Sequence, residues 1–405
     1  MNTMLVAVAF LSLLIWLFLL FFRGRFWDAK TILEKEEIRE NTEFISNQVL
    51  NNFKFQKPLI CAVIPARNEA ELISATMGSL CDSLKVLGDI STKIYLVDDH
   101  STDETAKIAR ETAASLNQQE NFQIISAEPL PPGWSGKLWA MEQGIQAASK
   151  NTPDYILLTD ADIQHHPDTI QRLINKAVIE DLDLVSVMVQ LRCESFWEQL
   201  LIPAFVFFFQ KLYPFFWVNN PSKSTAAAAG GCILIRHQAL EGIGGIQVVK
   251  EALIDDCSLA TAIKKKGKIW LGLSTSTLSL RPYPHLSNIW DMIARTAFTQ
   301  LNYSPLLLVG TVIGMVIIYL VPVFALGYGI LAANWLLAAS GLGTYMIMII
   351  AYTPTIRLYK CPPLFSLCLP IIGFLYTLMT IDSAFRHWQG KGGAWKGRVY
   401  QSTTR

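Results

Sequence analysis

Residues 5–22 are uncharged and apolar, and from residue 306 to 381 the chain is almost free of charge. Inside a bilayer every backbone N–H and C=O must find its partner within the protein, so runs of this length fold as membrane helices. The first run has no Lys or Arg before it and no small-residue cleavage site after it, and Arg23 and Arg25 follow it. It reads as an uncleaved anchor over residues 1–26, with the following chain on the cytoplasmic side. The expected location is therefore the cell (inner) membrane, multi-pass, with a catalytic domain facing the cytoplasm.

Beyond Pro305 the apolar segments are 306–326, 331–352 and 364–381. Arg357 and Lys360 lie between the second and third, and Arg386, Lys391, Lys396 and Arg398 follow the last. Both basic stretches favour the cytoplasm, yet one segment separates them, so one segment is expected to be re-entrant or peripheral. The third is the shortest, is preceded by Pro362-Pro363 and contains Pro370, which makes it the weakest span. A basic tail over 383–405 is expected to be cytoplasmic.

The 51% hydrophobic content is only slightly above the soluble average, because a polar middle section balances these runs. A net charge of +1 gives no reason to expect a nucleic-acid partner. The seven cysteines (61, 81, 193, 232, 257, 361 and 368) are scattered and contain no C-x-x-C pair. That fits reduced cytosolic thiols and argues against a zinc cluster.

After a charged connector, 27–57, apolar runs at 59–64, 94–97, in "NFQIISAEP", in "DYILLTDAD" and in "LDLVSVMVQL" alternate with helical patterns. The second helix is expected to be capped near Ser101 or Asp103. This alternation predicts an α/β domain over 58–300 built on a mainly parallel, doubly wound sheet. Ligands of such sheets bind beyond the carboxyl ends of the strands. Four polar clusters fall there, at 65–69, 98–101, 133–137 and 160–162, which places them on one rim. Residues 196–218 are aromatic and apolar but broken by Glu198, Gln199, Gln210, Lys211, Pro203 and Pro214. A span there would invert everything after it, so an in-plane membrane helix pair is expected, with a buried hairpin as the alternative.

Asp160 and Asp162 stand one residue apart immediately after an apolar run. Such a pair can share a Mg²⁺ or Mn²⁺ ion whose remaining ligands are phosphate oxygens, or can cap the next helix. His165 and His166 read as helix-start or core residues. "LIDDCSLATAIKKKG" places Asp255 and Asp256 before an amphipathic helix, and "AAAAGGCILIRHQALEGIGG" offers small residues where backbone can approach a ligand.

Taken in order, "VIPARNE", "VDDHSTDET", "GKLWA", "LTDADI" and "IDDCSLA" resemble the motifs of glycosyltransferase family 2, inverting nucleotide-sugar enzymes of GT-A fold. With the membrane segments and "WKGRVY" (395–400), the chain is most similar to the hopene-associated glycosyltransferases, which are related to ceramide glucosyltransferases. The resemblance implies a nucleotide-sugar donor, UDP-linked, a divalent metal and a membrane-lipid acceptor such as a hopanoid or another isoprenoid or sphingolipid-like molecule. It implies donor binding by Pro65, Ala66, Arg67, Glu69, Asp98, Asp99, Lys137 and Asp160, with Pro65 to Arg67 and Asp99 around the uracil and ribose. Asp160 meets the ribose or the metal, Asp162 the metal, and Asp256 of the Asp255-Asp256 pair is the general base. Many relatives carry Gln-x-x-Arg-Trp, whereas this chain reads "WDMIARTAFTQL", where Arg295 stands in for that arginine on the diphosphate. A polysaccharide synthase and an inactive membrane-anchored nucleotide-binding protein are the competing readings. The sequence carries no statement of oligomeric state.

Overall fold

The computed structural model describes residues 2–35, 58–88 and 90–390. Most of the connector expected at 27–57, and the tail from residue 391 with its "WKGRVY", lie outside the described residues. The described residues fold as two compact units, one of residues 2–29, 193–216 and 282–390, the other of residues 30–35, 58–88, 90–192 and 217–281.

The first unit is helical. Among the described residues, five stretches are long and apolar enough to cross a membrane: Thr3–Phe22, Phe196–Val218, Pro305–Leu331, Trp335–Leu358 and Pro363–Trp388. Length and composition therefore do not single out the last C-terminal segment. Pro370 sits in the first turn of the helix Leu369–Trp388, where no intrahelical N–H is lost. That helix also continues through Asp382 and Arg386, which pair with each other at 2.7 Å. About half of the helix Phe196–Leu212 is buried, and Tyr376 Oη donates to its Leu201 carbonyl at 2.9 Å.

The break in Pro305–Leu331 has a specific cause. Pro322 has no N–H for the Ile318 carbonyl, and residues Val316–Leu320 loosen into a π-helical turn. The freed carbonyls are taken by the first helix: Trp16 Nε1 donates to Ile318 O at 2.8 Å and Ser12 Oγ to Ile317 O at 2.7 Å. Close helix approach also depends on glycine, since a Cβ at Gly341 would lie 2.6 Å from the Pro322 carbonyl oxygen.

The second unit is built on one eight-stranded sheet. Its strands are β1 (Leu59–Ala66), β2 (Ser91–Asp98), β3 (Phe122–Ser126), β4 (Tyr155–Thr159), β5 (Ile163–Gln164), β6 (Leu184–Leu191), β7 (Cys232–Arg236) and β8 (Ile269–Ser279). They lie in the order β3-β2-β1-β4-β7-β6-β8-β5. β1 is buried along almost its whole length, as a strand covered by helices on both faces must be. It runs two residues past the expected end, through Pro65, where pairing with β4 has already stopped at Val63 and only the β2 side is paired. The helix Gly136–Ser149 packs on this face through Gly144, where a Cβ would collide with Val63.

The sheet is mixed rather than wholly parallel. β7 runs antiparallel to both β4 and β6, and the two-residue β5 antiparallel to β8. β4, β6 and β8 consequently point the same way, and the C-terminal end of β8 lies on the same edge as those of β1, β2 and β4. Part of the expected connector is built into this unit: Ile32 bridges Leu273, and Glu34 accepts from Ser276 Oγ at 2.6 Å.

Candidate active site

Ala66 and Asp98 are partners at the last rung between β1 and β2, so the residues after them emerge side by side. Asn68 and His100 turn the two chains with left-handed backbone, φ +52° and +54°. The Arg67 guanidinium donates to the Asp99 carbonyl and lies 3.6 Å from the buried Asp99 carboxylate. Asp98 Oδ1 accepts from the Ser101 N–H at 3.3 Å, which is turn chemistry. The next helix, Thr105–Ser115, begins later than the sequence suggests, and Asp103 accepts from the Thr105 N–H at 3.0 Å.

Lys137 is the second residue of its helix, whose start is capped by Ser135 Oγ accepting from Leu138 N at 3.2 Å. Its ammonium lies 2.7 Å from Asp160 Oδ1. Burial by itself would depress the Lys137 pKa, but Asp160, Asp255 and Asp256 together hold it above the ordinary lysine value. The same small concavity is lined by Lys137, Gly230, Asp255 and Asp256, with Met141 and Leu259 as apolar wall.

Asp256 is held by two backbone donors. The Gly230 N–H reaches its Oδ2 at 2.9 Å and the Cys257 N–H its Oδ1 at 2.7 Å. Burial, and secondarily the Asp255 charge, raise its pKa to about 6, against the pull of the Cys257 N–H, Lys137 and the Gly230 N–H. Gly230 is there because β7 runs antiparallel to β4, which sets the residues just before Cys232 beside Thr159. A further brace closes this corner. Thr159 Oγ1 donates its one proton to the Gly231 carbonyl at 3.0 Å, so the His165 Nε2, also 3.0 Å away, must be the donor to that hydroxyl. His165 is thus a core residue, kept neutral by burial that lowers its pKa to about 4.

Asp162 is engaged differently. Its Oδ2 lies 2.9 Å from Arg281 Nε and accepts from Ser279 Oγ at 3.3 Å, and the same guanidinium reaches Glu69 Oε1 through Nη2 at 2.6 Å. Burial raises the Asp162 pKa and Arg281 opposes the rise. Arg281 is the residue that sequence reasoning missed, whereas Gly230 falls in the small-residue stretch it singled out, without the contact to Asp256. The strand-end rule, applied to the run "LGLSTSTLSL" as it was to the earlier ones, puts Arg281 on the rim.

The second unit thus groups Arg67 with Asp99, Glu69 and Asp162 with Arg281, and Lys137 with Asp160, Asp255 and Asp256. Pro65 and Ala66 close β1 beneath them. Arg295 follows the helix Leu286–Ala294 of the first unit and is not among these residues. Among the described residues, no group of three or more His, Cys, Asp or Glu could hold a metal. Asp160 and Asp162 have the oxygen chemistry that suits Mg²⁺ or Mn²⁺ but are too few to hold an ion unaided. They fit one only with phosphate oxygens and water completing the shell.

A mixed α/β sheet with carboxylates and cations gathered at its parallel strand ends is GT-A-like. Residues 61–244 match the family model described as Glycosyl transferase family 2. Two uncharacterized proteins of Methanocaldococcus jannaschii are similar, one at 31% identity over 38% of this chain and 66% of its own length, the other at 30% over 32% and 46%. A 4,4'-diaponeurosporenoate glycosyltransferase of Staphylococcus aureus is 28% identical over 30% of this chain and 29% of its own. The matches span less than two thirds of the length of these curated relatives. Among solved structures, a mannosyltransferase of Pyrobaculum calidifontis in complex with GDP-Man and Mn²⁺ aligns over 95% of this chain and 99% of its own, at 15% identity and TM-score 0.48.

Proposed function

We propose that the protein is an inverting glycosyltransferase that moves a sugar from a nucleotide diphosphate, UDP-linked, to the hydroxyl of a membrane lipid. The observation that carries this reading is the Lys137 cluster: a cation 2.7 Å from Asp160, beside a carboxylate, Asp256, with a pKa raised to about 6. An inverting transfer needs a base on the acceptor hydroxyl and positive charge on the leaving diphosphate. In this reading Asp256 takes the hydroxyl proton as the oxygen bonds to the anomeric carbon, and Lys137 neutralises the diphosphate as the glycosidic bond to it breaks. A divalent ion held by Asp162, with Asp160 beside it, would add Lewis-acid stabilisation of that diphosphate. Arg67 and Asp99 line the part assigned to uracil and ribose.

The five apolar helices support a lipid acceptor, and so does the relative named for glycosylating 4,4'-diaponeurosporenoate. A hopanoid or similar isoprenoid is the acceptor that the motif resemblance favours. The test is nucleotide release from a panel of donors, with and without extracted lipid, joined to mass spectrometry of lipids from cells with and without the intact protein. We expect lipid-stimulated UDP release and one hexosylated lipid that disappears with the protein. Release from no donor, or an unchanged lipid profile, counts against the assignment.

The basic flank Arg23-Gly24-Arg25 supports a cytoplasmic catalytic unit, where nucleotide sugars are made. A single accessible cysteine introduced within residues 113–120 should resist membrane-impermeant thiol reagents in intact cells and react after permeabilisation. Labelling from outside would invert the assigned orientation.

A further inference from the structure

Arg281 is the one rim cation that the catalytic reading above gives no work. Its guanidinium spans two carboxylates, Asp162 at 2.9 Å and Glu69 at 2.6 Å, whose side chains are only 9% and 8% exposed, while it remains 29% exposed itself. Lys137 holds the third acid, Asp160. Each of the two acids assigned to a metal, Asp160 and Asp162, therefore already has a positive partner.

We propose that Arg281 is a resident counter-ion that withholds Asp162 from divalent ions until the nucleotide diphosphate arrives. The inference rests on the glycosyltransferase reading and adds to it an order of binding. To reach Asp162 Oδ2, a divalent ion alone must displace the charge-assisted Arg281 Nε–H bond and repel a guanidinium whose other arm is held by Glu69, in exchange for at most two protein carboxylates. Nucleotide changes the balance. Its diphosphate supplies further oxygen ligands and offers the displaced guanidinium a new anion, so affinity for the ion becomes conditional on nucleotide. Lysine could not reproduce this, because an ammonium is a point charge without the fork that bridges Asp162 and Glu69.

The experiment uses the full chain in nanodiscs and Mn²⁺ alone as probe, followed by electron paramagnetic resonance of free Mn²⁺ and by thermal melting. In the wild type, Mn²⁺ should bind weakly, and UDP should tighten it at least about tenfold. Arg281→Gln should bind Mn²⁺ without UDP at least about tenfold more tightly than wild type, a gain of roughly 1.4 kcal/mol. Mn²⁺ alone should also raise the melting temperature of Arg281→Gln and leave that of the wild type unchanged. Arg281→Lys should fall between the two, and it decides the matter if the Gln variant does not fold. Nucleotide-free Mn²⁺ affinity within twofold of wild type in the variant that folds overturns the proposal. If the wild type binds UDP with Mn²⁺ normally at the same time, only the role of Arg281 falls. A wild type that binds neither UDP nor Mn²⁺ sinks the glycosyltransferase reading along with it.

Discussion

Replacing Asp256 by Asn should lower transfer to the acceptor by about 10²-fold or more, the scale of losing a positioned general base, while donor affinity stays near that of the wild type. The two oxygens of Asp256 accept from different N–H groups, Gly230 and Cys257, and asparagine can replace only one of them. A stability loss on the order of 1–3 kcal/mol should therefore accompany the change, and melting curves report it separately from rate. The pH profile isolates the chemistry. With a pKa raised to about 6, Asp256 takes up a proton as pH falls through that value, so wild-type kcat/KM should drop on the acid side with its midpoint there. Asp256→Asn should lose that limb. In Asp255→Asn it should move to lower pH, because a like charge that favours the protonated form has been removed. Near-full transfer by Asp256→Asn, or an acid limb that persists in it, would hand the base role to Asp255.

Asp162→Ala should abolish metal-stimulated turnover, a fall on the order of 10³-fold, and weaken nucleotide binding with it, because ion and diphosphate complete each other's ligand sets. Excess chelator should reduce the wild type to the same level. The substitution also takes one of two anions from Arg281, which keeps Glu69 and is about a third exposed. The stability cost should thus stay well below the roughly 3–5 kcal/mol of breaking a fully buried pair. Asp162→Ala and Asp256→Asn are distinguished by titrating nucleotide: affinity falls in the first and holds in the second. Full wild-type activity in chelator would remove the metal from the reaction, whatever the variants do.

Much of this arrangement was legible without coordinates. The uncharged run at 5–22 and the nearly uncharged 306–381 favour helices, because a helix pairs its backbone polar groups within its own segment when no water is there to do so. The alternation of short apolar runs with helical periods predicts the α/β sheet, and the polar residues that follow β1, β2 and β4 fall on one edge of it. These are local properties, since where a buried strand stops is written in the residues that compose it. Tertiary structure decided what those residues face. The antiparallel course of β7 delivers Gly230 to Asp256, 26 residues along the chain, and the end of β8 delivers Arg281 to Asp162, 119 residues away. The Ile318 carbonyl left open by Pro322 finds Trp16 across 302 residues. Strand direction and ion-pair partners follow from which surfaces pack together, and that balance of burial and pairing is summed over the whole sheet or helix bundle, so no single stretch of sequence contains it.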